Sequence, residues 1–117
     1  MSEFKWSVQN GDLDKVKEHV EQPGFDVNGE LSMGRTALHV AADFGQVDVI
    51  EYLLSKGADI NLPDKHGITP ILAAIFEGHT DSVRLLLHKG ASTDGKAPDG
   101  STYFESAESD DMKLLLK

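Results

Sequence analysis

The side chains able to act on a substrate or hold a metal are scattered through this 117-residue chain. Histidines stand at positions 19, 39, 66, 79 and 88. None is four residues from another, the H-x-x-x-H spacing that would turn two imidazoles to one helix face around zinc. No cysteine is present, so neither a thiolate metal site nor a disulfide framework can form, and an intracellular home is expected. The chain lacks G-x-x-x-x-G-K-[ST], G-x-S-x-G and H-E-x-x-H, the best-marked routes to phosphoryl transfer, acyl transfer and zinc hydrolysis. Gly95-Lys96 follows no phosphate loop. The expectation is a protein with no catalysis, no metal and no cofactor.

Charge narrows the partner. Twenty acidic residues against eleven basic ones leave a net charge of −9. Binders of nucleic acid concentrate Lys and Arg, so neither a nucleic-acid backbone nor an anionic membrane surface is the expected partner. A basic protein surface is the electrostatic complement. No run reaches the eighteen apolar residues of a membrane span. The opening Met1-Ser2-Glu3-Phe4-Lys5-Trp6 has no apolar core of a signal peptide.

With chemistry of the side chains set aside, the organising feature is repetition. Gly34 to Asn61 recurs 33 residues later as Gly67 to Asp94. Thr36 pairs with Thr69, Ala41 with Ala74, Gly45 with Gly78, Leu53-Leu54 with Leu86-Leu87, and Lys56-Gly57-Ala58 with Lys89-Gly90-Ala91. A fixed period of this length marks a stacked repeat, in which each unit needs its neighbours to bury an apolar face. Each unit reads as turn, helix, tight glycine loop, helix and glycine stop. Thr36 and Thr69 are placed to cap the first helix through their hydroxyls, and Pro70 suits a first helical position. Val49, Ile50, Leu53 and Leu54 keep helical spacing, and Gly57 is the expected left-handed stop.

A degraded copy fills the first thirty residues, with Asn10-Gly11-Asp12 standing where Phe44-Gly45-Gln46 stands later. The chain closes on a shortened copy from Asp99. There Ser109-Asp110-Asp111 replaces the loop glycine as a helix start and leads into Met112, Leu115 and Leu116.

These residues resemble the ankyrin repeat, with Thr69-Pro70 and Leu38-His39 each matching half of its T-P-L-H signature. The resemblance implies an all-α ankyrin-repeat solenoid over residues 1–117, with units at about 1–30, 31–63, 64–96 and 97–117. Two full repeats of paired helices with β-turn or hairpin tips would lie between two caps, as a monomer. It implies that His39 bonds backbone groups between repeats.

A narrower likeness to free-standing ankyrin domains of this length is carried by F-x-W-x-x-x-N-G-D-L-D-x-V-K at Phe4 to Lys17. It continues in G-R-x-x-L-H-x-A-A-D-x-G-Q at Gly34 to Gln46 and P-D-K-H-x-I-T-P at Pro63 to Pro70. That group implies binding to the α/β heterodimer of actin capping protein, keeping it off the growing filament end. Rel-type transcription factors linked to cell growth are the alternative partner that the likeness implies. Cytoplasm, with the nucleus as second location, is the expected address.

In the ankyrin pattern the variable positions flank the tip glycine and precede the loop glycine. Here they are Leu31, Ser32, Met33 and Arg35 on one tip, and Lys65, His66 and Ile68 on the next. Pro98, Asp99 and Ser101 follow on the last. The helix-end positions are Gln9 and Asn10, Asp43 and Phe44, and Phe76 and Glu77. Met33, Phe44 and Phe76 are apolar where solvent is expected, which marks a partner surface. Trp6 is the sole tryptophan and lies in the first cap. It either packs the cap or anchors a partner.

Overall fold

The computed structural model describes residues 2–117 as eight helices: α1 (Glu3–Gln9), α2 (Leu13–Val20), α3 (Ala37–Asp43), α4 (Val47–Ser55), α5 (Pro70–Phe76), α6 (Thr80–His88), α7 (Tyr103–Ser106) and α8 (Asp110–Leu115). Three of the units are packed helix pairs, α1 with α2, α3 with α4 and α5 with α6, while α7 and α8 pack on α5 and α6. The first members α1, α3, α5 and α7 line up as one layer, and α2, α4, α6 and α8 as a second. The stack measures 40 × 24 × 24 Å, the elongated body expected of layers that touch only their neighbours.

Why these pairs form is local. Each first helix is seven residues long in α1, α3 and α5, too short to persist alone, and survives because almost every side chain of α3 and α5 is buried. Leu38, Ile71 and Leu72 are fully buried between layers, and Ile50, Leu53, Val83 and Leu86 close the core from the second layer. Gly45 turns the chain between α3 and α4 at φ 69°. A Cβ there would stand 2.6 Å from the His79 ring, so the next unit can approach only a glycine.

Units are also tied by recurring polar bonds. Gln46 Nε2 donates to the Gln9 carbonyl at 2.7 Å, and one unit later His79 Nε2 bonds the Asp43 carbonyl at 3.0 Å. Asn28 Oδ1 accepts from Asp59 N at 2.7 Å, and Asn61 Oδ1 from Ser92 N at 2.9 Å. The tips join through backbone, Lys65 N donating to the Met33 carbonyl at 3.0 Å.

Two details refine the sequence reading. The Thr36 hydroxyl lies 3.1 Å from His39 Nδ1, which also accepts from Thr36 N, so threonine and histidine together form a capping box at the start of α3. In the next unit the expected hydroxyl cap is present, Thr69 Oγ1 accepting from Leu72 N at 3.4 Å. Trp6 does not pack the first cap: it is 46% exposed, while Phe4 is buried against the His19 and Phe25 rings.

Ser82 occupies the position that Val49 fills one unit earlier. Its hydroxyl is buried and has no hydrogen-bond partner. Ser82→Ala is expected to raise the unfolding free energy by about 1 kcal/mol, since it removes a desolvated group that gains nothing in return. A urea melt reads the gain as a higher midpoint at unchanged slope; a lower midpoint would show that the hydroxyl is satisfied in solution.

Candidate protein-binding groove

The last residues of α3 and α5 and the two middle tips converge on one hollow of about 310 Å³. Met33 and Arg35 come from the tip before α3, and Asp64, His66 and Ile68 from the tip before α5. Asp43 ends α3, while Ala73, Phe76 and Glu77 come from α5. The tip before α3 closes through backbone, Arg35 N donating to the Ser32 carbonyl at 2.8 Å, and the tip before α5 through Asp64 Oδ1, which accepts from both His66 N at 2.8 Å and Ile68 N at 2.9 Å. Such a side-chain-closed turn needs Asp or Asn.

Seven residues expected at a binding surface therefore meet here: Met33, Arg35, Asp43, His66, Ile68, Phe76 and Glu77. Met33 is 52% exposed and Phe76 42%. Met33 sits at φ 56°, a left-handed conformation unusual for a side-chain-bearing residue, and the turn is what holds it. Other expected residues lie elsewhere. Phe44 is exposed but outside the hollow, as are Trp6 and Asn10 on the first cap and Lys65 on its tip, and Gln9 on that cap is half-buried. Leu31 is half-buried against the core.

Arg35 does not present a free cation. Its guanidinium lies 3.6 Å from Asp43 Oδ1 and 3.5 Å from the His39 carbonyl. Glu77, the one exposed acid among the described residues of the groove, is in no ion pair. Apolar Met33 and Phe76 beside acids suit a partner side chain with a long apolar stem and a cationic head. Asp64 and Ala73 are not among the residues expected at the surface; the sequence marks Asp64 only as the start of the turn Asp64-Lys65-His66-Gly67.

His39 lies behind the groove, fully buried. Its Nδ1 accepts from Thr36 N, and its Nε2 stands 2.9 Å from the Ile68 carbonyl, which can only accept. The ring is therefore neutral with its proton on Nε2, and burial pushes its pKa below the ordinary 6.5. Among the described residues, no three His, Cys, Asp or Glu side chains are placed to hold a metal ion, and no helix is long and apolar enough to cross a membrane.

A family model of three ankyrin repeats matches residues 4–97. Myotrophin of Homo sapiens and myotrophin of Gallus gallus are each 61% identical over 115 residues, covering 98% of this chain and 97% of theirs. Myotrophin of Xenopus tropicalis is 57% identical over a 54-residue stretch, 46% of this chain and 45% of its own length. Helix pairs, glycine loops and the buried histidine bridging two units are thus found where that repeat requires them. The chain belongs to the ankyrin-repeat proteins and, among them, to the myotrophin family, whose surfaces serve protein interaction.

Proposed function

We propose that the chain is an inhibitor that acts by occupancy, without catalysis, on the heterodimeric capping protein of actin filaments. The observation that carries this reading is the groove between Met33 and Phe76: exposed apolar side chains with Asp43, Asp64 and Glu77 around them. A surface that grips an acidic filament must be basic, and a chain of net charge −9 competes for it on electrostatic grounds. Charge speeds encounter, and the apolar residues hold the complex.

Purified capping protein tests this directly. The chain is expected to restore barbed-end growth in a filament-elongation assay, and Phe76→Ala to weaken that effect about tenfold, the loss of about 1.4 kcal/mol typical of an apolar anchor. Trp6→Ala, on the other exposed end of the same layer, is expected to weaken it as well if the partner spans both. Both variants keep their melting temperature because neither side chain is core. A wild-type chain that leaves capping undisturbed overturns the reading, and co-precipitation of Rel-type subunits from cytosol in its place would transfer it to those dimers.

A further inference from the structure

The closing unit differs from the inner ones by a missing turn. Helices α3 and α5 run seven residues and pass through a glycine loop into α4 and α6. Helix α7 runs four, and Ala107 leaves it in extended conformation straight toward the Ser109 N-cap of α8. The lost turn uncovers the end of α5. A hollow of about 240 Å³ remains, floored by Ile75 and Met112, walled by Phe76, and edged by Glu77 and Glu108.

The same end lacks its polar tie. In the two preceding layers a side-chain nitrogen of the following unit reaches the last carbonyl of the first helix: Gln46 to Gln9, then His79 to Asp43. The third member of that series is the Phe76 carbonyl. The residue in place to reach it is Ser109, whose short side chain bonds Met112 N at 3.1 Å instead. No described residue donates to Phe76 O. No Lys or Arg lines the hollow, and neither Glu77 nor Glu108 is in an ion pair among the described residues.

We propose that this hollow is a subsite for one arginine of a protein partner. Its guanidinium would donate to the Phe76 carbonyl, as Gln46 and His79 do in their layers, and to the carboxylates of Glu77 and Glu108. Its methylene stem would lie on Phe76. A guanidinium fits because it carries several N–H donors in a fixed fork, enough for a carbonyl and a carboxylate together. Carboxylates that are in no ion pair supply the charge complementarity. The inference rests on the chain being a protein-binding module and not on which protein it binds.

The probe is N-acetyl-arginine amide, titrated into the full-length ¹⁵N-labelled chain and followed by amide shifts. Saturable shifts confined to Phe76, Glu77, Gly78, Glu108 and Ser109 are expected, with a dissociation constant on the order of 1–10 mM for so small a ligand. They are expected to vanish in Glu108→Lys and to persist in Glu51→Lys, an exposed acid on α4. N-acetyl-citrulline amide keeps donors without the charge and should bind at least about fivefold more weakly. Shifts spread over the whole acidic surface, shifts unchanged in Glu108→Lys, or equal binding of citrulline each overturn the proposal. Arginine-dependent shifts lost in Glu108→Lys uphold the hollow even where capping protein does not bind. Capping protein bound by a chain whose hollow ignores arginine overturns the hollow alone.

Discussion

His39→Ala is expected to lower the unfolding free energy by about 3–5 kcal/mol, a large share of the roughly 5–15 kcal/mol of a domain this size. The imidazole is fully buried and spans two units, from Thr36 N at 3.1 Å to the Ile68 carbonyl at 2.9 Å. Alanine leaves both groups without a partner, at about 1–3 kcal/mol each, and adds a cavity. Urea unfolding checks the figure, and a loss under 1 kcal/mol would mean that water or a rotated Thr36 replaces the ring.

The same histidine sets a pH dependence whose sign is fixed by its direction of shift. Its folded pKa lies below the ordinary 6.5 because burial disfavours the charged ring; the Ile68 bond and the Asp64 charge oppose this, and Arg35 adds to it. Below 6.5 the unfolded chain therefore binds a proton that the folded chain refuses. The contribution is present in full above 6.5 and is lost as pH falls below it, down to the folded pKa. Melting temperature is expected to fall between pH 7 and about 5.5, and His39→Gln to flatten that part of the curve. An equally steep fall in the variant would assign the effect to other groups.

Gly34→Ala is expected to cost about 2–4 kcal/mol, for two reasons that a second variant separates. Gly34 has φ 76°, and a Cβ there would lie 2.6 Å from the backbone nitrogen of Lys65. That nitrogen is the donor in the bond to the Met33 carbonyl, so the two tips must part and lose it. Gly67 has φ 80° but nothing within 4 Å of its added Cβ. Gly67→Ala should therefore cost only the left-handed penalty of about 1–2 kcal/mol. Equal losses in the two variants would show that the tips yield without cost.

Much of this was legible in the residues because the repeat is written twice. Two copies, 33 residues apart, locate α3 to α6 by their capping threonines, loop glycines and Leu-Leu pairs, and the inner units carry few exceptions. The caps were harder, since each has a face with no following layer to dictate its side chains. Phe104 and Leu114 are 38% and 62% exposed, apolar side chains that no neighbouring layer covers. Trp6 shows the reverse ambiguity: one aromatic of the first cap had to fill the core, and only geometry says that Phe4 does so. Position in the repeat pattern predicted exposure of Met33 and Phe76 in the groove and of Phe44 outside it. It could not predict that Arg35 lies against Asp43, because side-chain pairing across a tip depends on backbone direction, which no spacing encodes.

The neighbour-only stacking has a consequence for how such a protein can change size. Because the bonds from Asn28 to Asp59 and from Asn61 to Ser92 repeat with the same partners, a further 33-residue module spliced in at Gly67 would meet compatible surfaces above and below. Reach along a partner is thereby separated from the integrity of either terminus, and the groove grows by rungs.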